Sequence, residues 1–115
     1  MSAESLLRTL LLSLLLTLIV ELTFALCCKK RRFDLLLAAL VNIATNPPVV
    51  LIYTLLRQSV RIPGLLLALP LELAAIAVEA FFYKRFADDI KRPLLFSLCA
   101  NVLSYSTGLM LNILL

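Results

Sequence analysis

Glu21, Glu72 and Glu79 stand in apolar stretches that contain no Lys, Arg or His. Glu21 lies eight residues before Lys29, about 12 Å along a helix. Glu72 lies twelve residues before Lys84, near the middle of its stretch. Glu79, five residues before Lys84, is within reach of an interface by snorkelling. A carboxyl in hydrocarbon is costly when ionised. Glu21 and Glu72 are therefore expected to be neutral, or balanced by something outside the chain. That balance can be a proton pathway, a metal ion, a cationic solute or a basic residue of a partner protein.

Amides and hydroxyls recur at helical spacing around these acids. Ser13, Thr17 and Glu21 are spaced by four and share one stripe. Asn42, Thr45 and Asn46 share a second face, and Glu72, Glu79 and Tyr83 a third. Ser97, Asn101, Ser104, Tyr105, Gly108 and Asn112 form the longest stripe. Such groups also bond helix to helix in membranes, and small residues such as Ser104 and Gly108 permit close approach. The candidate ligand set is Glu21, Glu72, Glu79, Asn42, Thr45, Asn46, Asn101, Ser104 and Tyr105.

The elements that must position these residues follow from composition. Of the 115 residues, 63% are hydrophobic and 16% charged, against roughly 25% charged in a soluble domain. A soluble chain of this length leaves too much surface open to hide so many apolar side chains. The charges leave four long stretches, about 9–28, 35–56, 62–83 and 93–115. Each has the length of roughly 20 residues that a helix needs to cross a bilayer. The fold expected is all-α: one domain over 1–115, a polytopic four-helix membrane bundle.

Lys29, Lys30, Arg31, Arg32, Lys84, Arg85, Lys91 and Arg92 flank the first and third connections; Arg8, Arg57 and Arg61 lie on the other side. The positive-inside rule then puts both termini outside a plasma membrane. The net charge of +4 is read as topology, with anionic headgroups beside residues 29–32 and no nucleic-acid partner. The first segment starts with the acidic MSAES and carries its basic cluster after the apolar run. It is read as an anchor rather than a cleaved signal peptide. Cys27 and Cys28 stand at the basic boundary, a palmitoylation position in principle but more simply two small interfacial residues.

"NIATNPPVV", residues 42–50, breaks the pattern of its segment. Pro47 and Pro48 cannot donate to the carbonyls of Ile43 and Ala44, and Asn46 precedes a proline. A kink or break is expected there, with the freed carbonyls facing a cavity. Pro63 and Gly64 are expected to open the third helix, and Pro70 to bend it.

The halves of the chain also look alike. "ELTF…LLLAALVNIAT" starts at Glu21 and "EAFF…LLFSLCANVLS" at Glu79. Asn42–Thr45 and Asn101–Ser104 occupy matching places, whereas Glu72 is matched by Leu14. A parallel repeat of two hairpins would place the two Glu/Asn/hydroxyl sets across a shared axis.

Enzyme chemistry finds little support. There is no His, no zinc-ligand spacing, no Ser-His-Asp set and no phosphate loop, and no cofactor is called for. Glu and Asn oxygens suit a hard cation such as Ca²⁺ or Mg²⁺ without specifying one. The function expected is binding or passage of a proton, cation or small cationic solute. The alternative is an accessory subunit whose glutamates pair with a partner membrane protein. A homodimer is expected in either case.

Overall fold

The computed structural model describes residues 2–114, with side chains through residue 111. It contains α1 (Ala3–Cys27), α2 (Arg32–Ser59), α3 (Gly64–Phe86) and α4 (Pro93–Leu114). Each described helix is long and apolar enough to cross a membrane. The bundle measures 41 × 24 × 23 Å, its long axis suiting a bilayer of ~40–45 Å with its headgroup regions. Asn112, the last member of the α4 stripe, lies outside the described side chains.

Local chemistry sets the helix ends. Ser2 caps α1, its hydroxyl accepting from the Ser5 N–H at 3.1 Å. At the other end Lys29 takes a positive φ of 60°. The Lys30 N–H then reaches the Ala25 carbonyl and the Lys29 N–H reaches Leu26, a Schellman closure. This turn sends the chain straight back into α2. Pro63 caps α3 and Gly64 opens it, as expected. A Cβ at Gly64 would stand 2.5 Å from the Tyr53 hydroxyl, so the missing side chain makes room for that ring.

The helices form a ring in which each packs against its two sequence neighbours and α1 closes onto α4. The outer faces are leucine-rich: Leu7, Leu11, Leu12, Leu15 and Ile19 of α1 are all exposed. The eight basic residues of the first and third connections collect at one end, and Arg8, Arg57 and Arg61 at the other. The end with the eight is closed by a buried cluster of Ala25, Leu37, Ala38, Val41, Tyr83 and Phe96. Phe96 stands edge-on to Tyr83, with ring centroids 5.2 Å apart.

Two expectations are corrected. First, α2 runs unbroken through Pro47 and Pro48, so of the kink or break expected there the break is absent. Missing donors remove two rungs of the hydrogen-bond ladder, and the turns on either side carry the helix across. Ile43 and Ala44, whose carbonyls lose those donors, face outward, away from any cavity. Second, Gly108 does not mark a tight crossing: a Cβ there would meet nothing nearer than Leu16 Cδ2 at 4.0 Å.

Candidate functional site

The polar stripes of all four helices turn inward and meet in a cavity of about 220 Å³. Its wall holds each of Glu21, Glu72, Glu79, Asn42, Thr45, Asn46, Asn101, Ser104 and Tyr105. Glu21 and Glu79 sit at the deep end, just above the buried apolar cluster. From there the wall runs past Glu72 and Tyr105 to Tyr53, Ala68 and Leu109, towards the α2–α3 connection. No Lys or Arg is in that wall.

Glu79 is held from both sides. Its Oε2 is 3.0 Å from the Thr45 hydroxyl on α2, and its Oε1 accepts from Asn101 Nδ2 on α4 at 3.1 Å. Asn101 also donates to the Ser97 carbonyl at 2.8 Å, and the Ser97 hydroxyl donates to the Ile76 carbonyl at 3.0 Å. The Thr45 hydroxyl has one proton and two oxygens at 3.0 Å, Glu79 Oε2 and the Val41 carbonyl. If Glu79 is a neutral acid it donates to Thr45, and Thr45 donates to Val41; every group is then paired. Glu79 is 1% exposed, so it does not snorkel to the interface.

Glu21 is as deeply buried, at 2% exposed, but among the described residues neither of its carboxyl oxygens has a partner within hydrogen-bond distance. Asn42, on the facing turn of α2, donates one amide N–H to the Ala38 carbonyl at 2.8 Å and turns the other towards the Glu21 carboxyl. Ser104 donates to Thr17 Oγ1 at 3.3 Å, and Asn46 Nδ2 donates to the same oxygen at 3.1 Å. Asn46 Oδ1 is buried and without a partner. Glu72 is half-buried in the cavity wall, between Leu71 and the outward-facing Leu73. Among the described residues, no three His, Cys, Asp or Glu side chains converge as a metal-binding set.

No protein-family model matches this chain, and neither does any curated protein or solved structure. The site therefore has to be read from its own residues.

Some of those residues escaped sequence reasoning. Asp34, in the first turn of α2, is 1% exposed and accepts from the backbone N–H groups of Asp88 and Asp89 at 2.8 and 2.9 Å. Lys30 Nζ donates to the Asp89 carbonyl at 2.7 Å. These bonds tie the α3–α4 connection to the start of α2 and cover the closed end of the bundle. The available signal was an aspartate next to the basic cluster, facing a short connection with free N–H groups. Tyr53 was missed as well; it reaches the cavity wall from the outer half of α2.

Burial repeats between the halves. Thr17, Glu21 and Ala25 of α1 are buried, as are Ala75, Glu79 and Tyr83, each 58 residues later. Leu37, Ala38, Val41, Asn42 and Thr45 of α2 are buried, as are Phe96, Ser97, Ala100, Asn101 and Ser104, each 59 residues later. Asn42 and Asn101 each donate to the carbonyl four residues before at 2.8 Å.

Proposed function

We propose that this chain is a small integral membrane protein whose acidic intramembrane cavity binds or passes a proton, a cation or a small cationic solute. The observation that carries the reading is Glu21: a fully buried carboxyl without a partner, at the deep end of a cavity. Leaving a buried polar group unpaired costs about 1–3 kcal/mol, and more when it is charged. A cation delivered from solution removes that cost. The alternative, glutamates pairing with a partner protein, needs an acid on the outer surface of the spans. Glu21, Glu72 and Glu79 all line the cavity instead.

The cavity is complete within one chain, so the reading does not depend on the homodimer expected from the small size of the bundle. The two hairpins are read as a parallel repeat about the bundle axis, with Glu21 and Glu79 as counterparts. The basic end is placed in the cytoplasm and both termini outside, by the positive-inside rule. In that orientation the cavity extends towards the outer face of a plasma membrane. Asp34, Lys30 and the apolar cluster close the cytoplasmic end.

The test is thermal stability of the purified protein in detergent across pH and a panel of inorganic and organic cations. A ligand that binds only the folded state at 100 times its Kd adds about 2.7 kcal/mol. Saturable stabilisation is expected in the wild type and lost in Glu21→Gln, with a smaller loss in Glu72→Gln. A flat response to every cation and every pH, with both variants as stable as wild type, overturns the reading.

A further inference from the structure

From the atoms left without partners we infer that the cavity's ligand is an N–H-donating organic cation, a primary ammonium on a compact apolar body. The inference rests on the cationic-site reading above and names the ligand class for that same site.

Among the described residues, three buried cavity-wall atoms lack partners: Glu21 Oε1, Glu21 Oε2 and Asn46 Oδ1. The fourth unpartnered atom, the Tyr83 hydroxyl, belongs to the apolar cluster below the cavity. Carboxylate and amide oxygens accept hydrogen bonds. The site is short of donors. Asn46 is tied to Thr17, which stands four residues before Glu21, about 6 Å along α1. Asn46 therefore meets α1 one turn from Glu21, in the same cavity wall.

An ammonium group brings three N–H donors and one positive charge. It matches the acceptors in number and Glu21 in charge. A quaternary ammonium brings the charge and no donor, so it leaves all three oxygens unpaired. An inorganic cation is best held by several oxygens converging on one point, and among the described residues no three His, Cys, Asp or Glu side chains do so. The rest of the wall explains the apolar body. Leu16, Val49, Val50, Leu71 and Leu109 line the cavity together with Tyr53 and Tyr105. The five aliphatic side chains offer nothing to the hydration shell of a small ion, and the two rings add apolar faces. They suit a short alkyl or aryl group pointing away from Glu21 towards the α2–α3 connection.

The experiment uses the full chain in lipid nanodiscs and isothermal titration with two probes that share one body: hexylammonium and hexyltrimethylammonium. Hexanol controls for partitioning, and sodium, potassium, calcium and magnesium chlorides are titrated alongside. Hexylammonium is expected to bind saturably, and hexyltrimethylammonium roughly tenfold more weakly or worse, because a site built for N–H donors rejects a ligand without them. Glu21→Gln is expected to abolish the hexylammonium signal. If that variant does not fold, the wild-type ratio of the two probes decides.

Equal or tighter binding of the quaternary probe overturns the donor argument and leaves the cationic site standing. Binding of inorganic cations alone also overturns the ligand class and spares the site. If no probe or salt binds at all, this inference falls, and the proposed function falls with it only where the stability scan is flat across pH as well.

Discussion

Glu79 offers a test of the intramembrane network that needs no ligand. It bridges three helices: Thr45 of α2 stands 3.0 Å from Oε2, and Asn101 of α4 donates to Oε1 at 3.1 Å. Glu79→Leu keeps the bulk and removes both bridges. Interhelical hydrogen bonds in membranes are worth about 0.6 kcal/mol on average and about 1.7 at most. Two of them set the expected loss at about 1–3 kcal/mol. Thr45 keeps the Val41 carbonyl and Asn101 keeps that of Ser97, so the loss stays at the lower end of that range. Glu79→Gln makes a sharper comparison. Its amide nitrogen takes the place of Oε2 and donates to Thr45, and its oxygen still accepts from Asn101. That is the bonding pattern of a neutral Glu79, so Gln is expected to stay within about 0.5 kcal/mol of wild type. The assay is reversible unfolding in mixed micelles titrated with dodecyl sulfate, with midpoints compared at unchanged slope. A Leu variant as stable as wild type would refute the bridging network. A Gln variant as damaged as Leu would refute the neutral acid.

Two further predictions concern the ends of the same network. Asp34→Asn leaves one acceptor where Asp88 and Asp89 need two; a hydrogen bond to a charged group is worth about 1.5–3 kcal/mol. The expected result is a stability loss of that size, with faster amide exchange across residues 87–92 read by mass spectrometry; unchanged exchange would show that the connection holds itself. Thr17→Ala frees the Ser104 hydroxyl, now spent on Thr17 at 3.3 Å, to reach Glu21. Hexylammonium binding should weaken several-fold in titration, and unaltered binding would separate Thr17 from the site.

What was legible in the sequence was the part governed by period and length. Spacings of three and four put Ser13, Thr17 and Glu21 on one face, and Asn42, Thr45 and Asn46 on another, and those faces turn inward. Helix number followed from apolar length, and the start of α3 from Pro63 and Gly64. The illegible part depends on neighbours that no single helix contains. Whether Glu79 snorkels or turns inward is settled by Thr45 and Asn101 on other helices. Asp34 reads as a first-turn acid until the connection at 87–92 folds over it. Pro47 and Pro48 read as a kink or break because local propensity was the only force in view. Within a bundle, contacts on either side hold a helix across two missing hydrogen bonds, as neighbours do for prolines in other membrane helices.

The inequality of the two glutamates has a physical origin in the positions one turn before them. Thr17 precedes Glu21 and Ala75 precedes Glu79 in matching places. The Thr17 hydroxyl takes hydrogen bonds from Ser104 and Asn46. Ala75 has no hydroxyl, so Thr45, the counterpart of Ser104, is left to Glu79. Below the acids the halves differ again: Ala25 lies one turn after Glu21 and Tyr83 one turn after Glu79. The smaller residue stands on the side of the unpartnered acid, and the phenol fills the floor beneath the paired one. Two hairpins of the same pattern thus give one acid built into the structure and one left facing the cavity. A strictly symmetric pair would satisfy both carboxyls or neither. The difference between Thr17 and Ala75 goes with the difference between Glu21, without a hydrogen-bond partner among the described residues, and Glu79, which is bonded to two other helices.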